Sequence, residues 1–467
     1  NNNVPITFSN CNIKNNTAYW GGGGMDVSRT SLSLEGCNIT ANNATASFGQ
    51  NGGPGGVWAV NCSVVNVNKT LFSANVGQAD GGGMSIQNQS NALNSTILSL
   101  TDCQFKGNKA GNGGGLFCKQ NNTTYTISGA LDKCVFEGNT ASINGGAGLY
   151  LENCSPSVSN SQFNLNKLSN GDGAGIRSSQ ANPTINHCSF TRNYVGGNGY
   201  GAGIANSNSS PVIKDCQFYG NKSVSGGGSI YNAYSSNTKV ANSSFIADTT
   251  TSFGGSLYNA YGAANITYNN CLFYKNVRTL SNGSSAGVID NYGGTASFIN
   301  CVFRENKART YSLAYNTSSG TLNFINCTIQ GQVSTATGSA IFRESGTQTN
   351  FSNSILYGNN GGLASTGGGT IKNSLVQGQS STANGNLDGI TDPLFVDITT
   401  PAGPNGIWGD ADDGLRLQPC SKAINAGDND LLPAGTSTDF GGFNRQFNGG
   451  FVDMGAYEYQ AQQGANI

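Results

Sequence analysis

The chain has 467 residues, 68 of them glycine, with 10% charged side chains and a net charge of −1. That balance departs from an ordinary globular enzyme, and with no basic run the sequence gives no reason to expect a nucleic-acid partner. No stretch of about 18 apolar residues is present, so the sequence predicts no membrane-spanning helix.

A short block recurs from the first residues onward: Asn or Asp, then Cys or Ser, any residue, then Phe or another apolar residue. Its period is about 27 residues. In chain order the blocks fall at Cys11, Cys37, Thr70, Cys103, Cys134, Ser161, Cys188, Cys216, Ser243, Cys271, Cys301, Cys327, Ser354 and Ser374, which predicts fourteen coils. Asn1 to Ile13 already reads as part of a repeat, so a processed or truncated N-terminus is expected. Cys and Phe at i and i+2 lie on one face of a strand, and no segment carries a convincing helical period.

Two further registers keep step with the first. Glycine clusters end in Met25, Met84, Leu116, Leu149, Ile176, Ile204, Ile230 and Leu257, where glycine supplies backbone angles that other residues reach only with strain. Three residues after the apolar position of each block stands Asn16, Asn42, Asn75, Asn108, Asn139, Asn166, Asn193, Asn221, Asn276, Asn306 or Asn359, with Asp248, Gln332 and Gln379 in the other coils. Stacked coils would let each amide bond the next, so an asparagine ladder is predicted, with a shorter one through Asn206, Asn232, Asn259 and Asn291. Short strands at one fixed period are what an all-β parallel solenoid requires, because each coil buries its apolar face only against its neighbours.

Nine of the thirteen cysteines share one register with Ser and Thr, a pattern that asks for small volume. Stacked in this way their Cβ atoms would stand about 4.8 Å apart, beyond the roughly 3.8 Å that a disulfide prefers, so a reduced thiol stack is expected. Cys62, Cys118, Cys154 and Cys420 fall outside that register, and the sequence does not pair them.

The repeats, such as "NCVFREN" and "DCQFYGNKSVSGGGSIYN", resemble the right-handed parallel β-helix repeats of bacterial polymorphic outer-membrane proteins and related surface proteins. The tail, "LRLQPCSKAINAGDN" and "STDFGGFNRQFNGGFVDMGAYEYQ", resembles the choice-of-anchor region of secreted bacterial β-helix proteins. The resemblance implies the right-handed sense and an extracellular or cell-surface location. Composition shifts at about Ser381, beyond which half the prolines lie, and divides the chain into β-helix repeats over 1–380 and a cap or choice-of-anchor-like region over 381–467.

Candidate functional residues are sparse. His187, the one histidine, takes the place of the Asn or Asp before a block and reads as a turn residue. Asp102 and Asp132 miss a common register by one position, and Asp80 and Asp172 share a register several coils apart, so no catalytic residues are assigned. Asp410, Asp412 and Asp413, ahead of Gly414, offer hard oxygen ligands for calcium, the one cofactor the sequence suggests, or form a solvated acidic turn. Arg445, Asp453 and Glu458 match the tail motif and are expected to form an ion pair closing the helix end. Tyr231 with Tyr258, and Tyr234 with Tyr261, form two short stacks that suit sugar rings or simply stabilise the coils.

The expected role is a secreted, non-enzymatic structural or adhesive surface protein with glycans as partners. Head-to-tail association into a filament is included, because the first coil carries no amphipathic cap and open strand edges invite pairing. The alternative is a carbohydrate-binding or polysaccharide-degrading, lyase-like β-helix protein.

Overall fold

A computed structural model describes residues 4–46, 52–262, 265–280, 285–336, 339–365, 367–446 and 449–460. Asn1 of the opening repeat and Phe447 and Asn448 of the tail motif lie outside the described residues. The chain forms two compact units, Asn1–Lys239 with Ile246–Ala260, and Val240–Phe245 with Tyr261–Ile467. Both are built from turns of a parallel β-helix, about 13 in all. The fourteenth block, at Ser374, supplies Ile371–Lys372 and Leu375–Val376, but the chain then bends at Gly378, in the left-handed region at φ 82°, and among the described residues no further strand of the glycine-led row follows.

In the first unit each turn contributes to three principal parallel rows. An aliphatic row begins with Ile6–Ser9, Leu32–Glu35 and Val64–Asn68. A phenylalanine row runs through Leu71–Ser73, Gln104–Lys106, Val135–Glu137, Gln162–Asn164, Ser189–Thr191 and Gln217–Tyr219. A glycine-led row runs through Met84–Asn88, Leu116–Gln120, Leu149–Glu152, Ile176–Ser179, Ile204–Ser207, Ile230–Ala233 and Leu257–Ala260. Successive strands pair in strict register, so like side chains stack. Phe72, Phe105, Phe136, Phe163, Phe190 and Phe218 form one interior column with ring centroids 4.7 to 4.9 Å apart. That spacing is the strand separation itself, and near-parallel rings at this distance lie in the range of offset stacking.

The corner between block and next strand is polar and buried, and the asparagine ladder resolves the conflict. Asn139 Nδ2 donates to Asn166 Oδ1 at 3.0 Å and to the Phe105 carbonyl at 2.8 Å, while its Oδ1 accepts both the backbone N–H (3.0 Å) and the side-chain amide (3.0 Å) of Asn108. Each rung thus satisfies four bonds within a dry interior, where an unpaired amide is costly. The same bonding runs from Asn16 through Asn42 and Asn75 to Asn221 in the first unit, and from Asn276 to Asn306 and Gln332 in the second. The last rung departs from the sequence expectation. Asn359 N–H donates to Gln377 Oε1 at 2.9 Å, not to Gln379, because the turn at Gly378 removes Gln379 from the corner. The shorter ladder is also present, with Asn206 to Asn232 at 2.9 Å, Asn232 to Asn259 at 3.0 Å, and Asn291 extended to Asn316 at 3.0 Å.

All thirteen cysteines are free. The nine in register each donate Sγ–H to the carbonyl two residues earlier at 3.2 to 3.5 Å, as Cys216 does to Lys214 and Cys134 to Asp132.

In the second unit the C-terminal segment lies along the flank of the turns. Asn300 Nδ2 donates to Thr438 O, Arg304 Nη2 to Ile398 O, Asn353 Nδ2 to Asp428 O, and Ala456 N–H to Thr328 Oγ1, all at 2.8 to 2.9 Å. Beneath it the outward side chains of the phenylalanine row are Leu272, Val302, Thr328, Ile355 and Leu375, all buried. In the first unit the same register alternates exposed Asn38, Gln104, Gln162 and Gln217 with half-buried Leu71, Val135 and Ser189. The outer face becomes apolar where a cover must bury it.

Candidate functional site

On the outer face of the glycine-led row of the first unit, strand register aligns Phe117 with Tyr150 and Arg177, and Lys119 with Glu152 and Ser179. Loops from the short strands Lys109–Asn112 and Thr140–Gly145, and from the segment before Asp172, flank this face and add Asp80, Asn112 and Asp172 in one column. The result is a strip of charges over aromatic rings. Lys119 Nζ stands 2.9 Å from Glu152, and Arg177 Nη1 lies 3.0 Å from Asp172 and donates to the Asn144 carbonyl at 2.6 Å. The Arg177 guanidinium is 5.5 Å from the centre of the Tyr150 ring, which meets Phe117 edge-on at 5.2 Å. Asp80 accepts from Asn112 at 2.8 Å, and Asp172 also accepts the Tyr200 N–H at 2.9 Å.

Burial raises the Asp80 carboxyl above its ordinary range, against the pull of Asn112 and Lys119. Burial likewise raises Asp172, opposed first by Arg177, and raises the Tyr150 hydroxyl. These directions describe carboxylates partly withdrawn from water and held by fixed donors. Beyond Arg177 the strip becomes aromatic, with Tyr200 to Tyr231 at 4.7 Å, Tyr231 to Tyr258 at 5.5 Å and Phe253 to Tyr258 at 5.3 Å.

The structure separates the four candidate tyrosines. Tyr231 and Tyr258 pair in register as expected, but they are 4% and 6% exposed, so their faces are spent on each other, Tyr200 and Phe253. Tyr234 and Tyr261 are 49% and 59% exposed, at corners with φ of 50° and 53°. His187 is likewise a left-handed corner residue at φ 51°, with Nε2 3.8 Å from Asp215. Asp132 pairs with Thr101, which leaves Asp102 one position out. Asp80 and Asp172 do share a column, three turns apart. The glycine-led period marks only the glycines and the apolar residue after them, so Lys119, Glu152 and Arg177, at outward positions of the same strands, carry no sequence signal of their own.

In the second unit, Asp410, Asp412 and Asp413 bring one carboxylate oxygen each within 4.8 Å of the others. Asp413 is fully buried; its Oδ2 accepts from Gly409 N–H and Tyr457 O–H, both at 2.7 Å, while Oδ1 finds no partner. Burial pushes Asp413 up to about 6, and Asp410 raises Asp412. An all-oxygen group of this kind could hold a hard cation such as calcium.

Arg445 and Glu458 form a buried pair at 3.7 Å, and Arg445 Nη2 also donates to the Gly455 carbonyl. Asp453 accepts from Asn425 N–H at 2.7 Å and Tyr459 N–H at 2.5 Å, and Asp439 from Glu458 N–H at 2.7 Å and Phe443 N–H at 2.8 Å. The knot pins the tail to the flank of the turns rather than across an end, since Gly455 N–H donates to Asn353 O at 2.8 Å.

These features define an all-β, right-handed parallel β-helix with a charged and aromatic outer strip. The family model for a right-handed β-helix region matches residues 129–303, a stretch that includes Tyr150, Glu152, Asp172 and Arg177. No match to a curated protein was found.

Proposed function

We propose that this chain is a secreted cell-surface protein, structural and adhesive in role, that displays the strip around Arg177 as a saccharide-recognising surface without cleaving what it binds. The observation that supports this reading is the commitment of the carboxylates. Glu152 is paired with Lys119, Asp172 with Arg177, and Asp80 is held by Asn112. Glycoside cleavage needs one carboxyl free to give a proton and a second free to attack or to activate water. Fixed, partly exposed charge pairs instead suit recognition of sugar hydroxyls, with the buried Phe117 and Tyr150 rings packed beneath them.

Binding of the full chain to a panel of acidic and neutral polysaccharides tests this, with product release followed in the same samples. Retention of at least one polysaccharide with no new reducing ends or unsaturated sugars is expected, together with about a tenfold weaker retention in Arg177→Ala, the loss of roughly 1.4 kcal/mol. Steady product formation would replace the reading with an enzymatic one. No retention across the panel would remove the saccharide.

A further inference from the structure

Cys118 and Cys154 meet in a way that the ladder thiols do not. Cys118 is an inward residue of the strand Leu116–Gln120 and pairs in register with Leu151, while Cys154 sits three residues further on, at a corner entered through Asn153 at φ 57°. Their side chains therefore approach from different directions. The corner position is occupied by small side chains that lie against the inward residue of the preceding turn: Cys62 Sγ donates to Val27 O at 3.6 Å and Ser236 Oγ to Asn206 O at 3.4 Å. Cys154 does the same, donating to Cys118 O at 3.3 Å. Here the inward residue is itself a cysteine, and the two Sγ atoms stand 3.1 Å apart. Both residues are buried, at 0% and 2% exposure.

We propose that Cys118 and Cys154 are a modification site, forming a disulfide that staples two successive turns of the first unit. Rotation about the two Cα–Cβ bonds has to close about 1 Å to reach bonding distance. The step is an exchange with a disulfide-class oxidant, either glutathione disulfide or the oxidised pair of a folding oxidoreductase. The thiolate of one cysteine attacks the oxidant, forms a mixed disulfide and releases one thiol. The second cysteine, losing its proton, attacks that mixed disulfide, forms the intramolecular S–S bond and releases the second thiol. Two protein thiols are oxidised and one small disulfide is reduced to two thiols. The exchange takes place while the turns are closing, because in the finished fold both sulfurs are shut off from solvent, and the hydrogen bond with Cys154, together with burial, holds the Cys118 thiol well above its ordinary range.

The test is a peptide map of the full chain, refolded in a buffer of reduced and oxidised glutathione, denatured without reductant, alkylated and digested. A peptide pair joining Cys118 to Cys154 is expected, with two fewer alkylated thiols than the thirteen in the sequence. Cys154→Ser returns Cys118 to the alkylated pool, whereas Cys301→Ser leaves the link intact. Thirteen alkylated thiols in the wild-type chain, or links confined to other cysteines, would overturn the proposal. The wild-type map decides even if Cys154→Ser does not fold.

Discussion

Asp248 accepts both the backbone N–H and the side-chain amide of Asn221, at 2.8 and 3.0 Å, from the corner position where most turns carry asparagine. A carboxylate can accept in that place but has no amide hydrogen to pass on. It is fully buried, and its other oxygen takes the Ser229 hydroxyl. Burial pushes it up to about 7, with Ser229 and Asn221 pulling the other way.

A pH dependence of stability follows. The folded chain holds the Asp248 proton more tightly than the unfolded chain does, so its contribution is fully present below pH 3.8 and is lost as pH rises through about 7. Moving one carboxyl over that range is worth roughly 4 kcal/mol. Urea unfolding of wild type and Asp248→Asn at pH 5 and pH 8 is the measurement. The wild type is expected to lose stability at pH 8, and the variant, which restores the amide, to lose less. An identical pH trend in the two proteins would show that Asp248 does not titrate as described.

Docking of the C-terminal segment depends on Arg445. Its guanidinium is buried among Glu458, Asp439 and Asp453, which its positive charge offsets. Replacing Arg445 with Met leaves buried carboxylates without their cation, a change that costs about 3–5 kcal/mol when one partner of a buried pair is removed. Hydrogen exchange at Gly455 and Ala456, whose amides bond Asn353 and Thr328, is expected to rise by two orders of magnitude or more. Unchanged protection would mean that apolar contact with Val302 and Ile355 holds the segment alone.

Calcium is the proposed occupant of the Asp410, Asp412 and Asp413 group, and Trp408 lies two residues away in the sequence as an antenna. Terbium luminescence excited through tryptophan is expected to appear on titration, to fall on addition of calcium, and to be absent in Asp412→Ala. EDTA treatment should lower the unfolding temperature of the calcium-loaded chain and leave the Asp412→Ala chain unchanged. Absence of both signals would mark the group as a solvated acidic turn.

Register was legible in the sequence because a parallel β-helix repeats its demands. The dry corner asks for a side chain that both donates and accepts, so asparagine returns at most of these corners. The interior column asks for a ring of one size, so phenylalanine returns beneath it. The same regularity concealed what lies outside the column. Lys119, Glu152 and Arg177 are spaced by the strand period and form a strip only when the turns stack, with Asp172 brought alongside by a flanking loop. Gln377 replaces Gln379 at the end of the ladder through a single bend at Gly378. The burial of Tyr231 and Tyr258 came from neighbouring aromatic residues rather than from their own spacing.

The sequence by itself determined the all-β parallel solenoid, the ladders and the thiol column, since each depends on identical neighbours one period away. Only the tertiary structure decided which outer faces are covered and which are open. It laid the tail over Leu272, Val302 and Ile355, closed Cys118 on Cys154, and paired the charges of the strip. Apart from Lys119 and Glu152, which stand in register one turn apart, those contacts join residues with no shared period, and their partners are set by how loops and tail pack against the stacked turns.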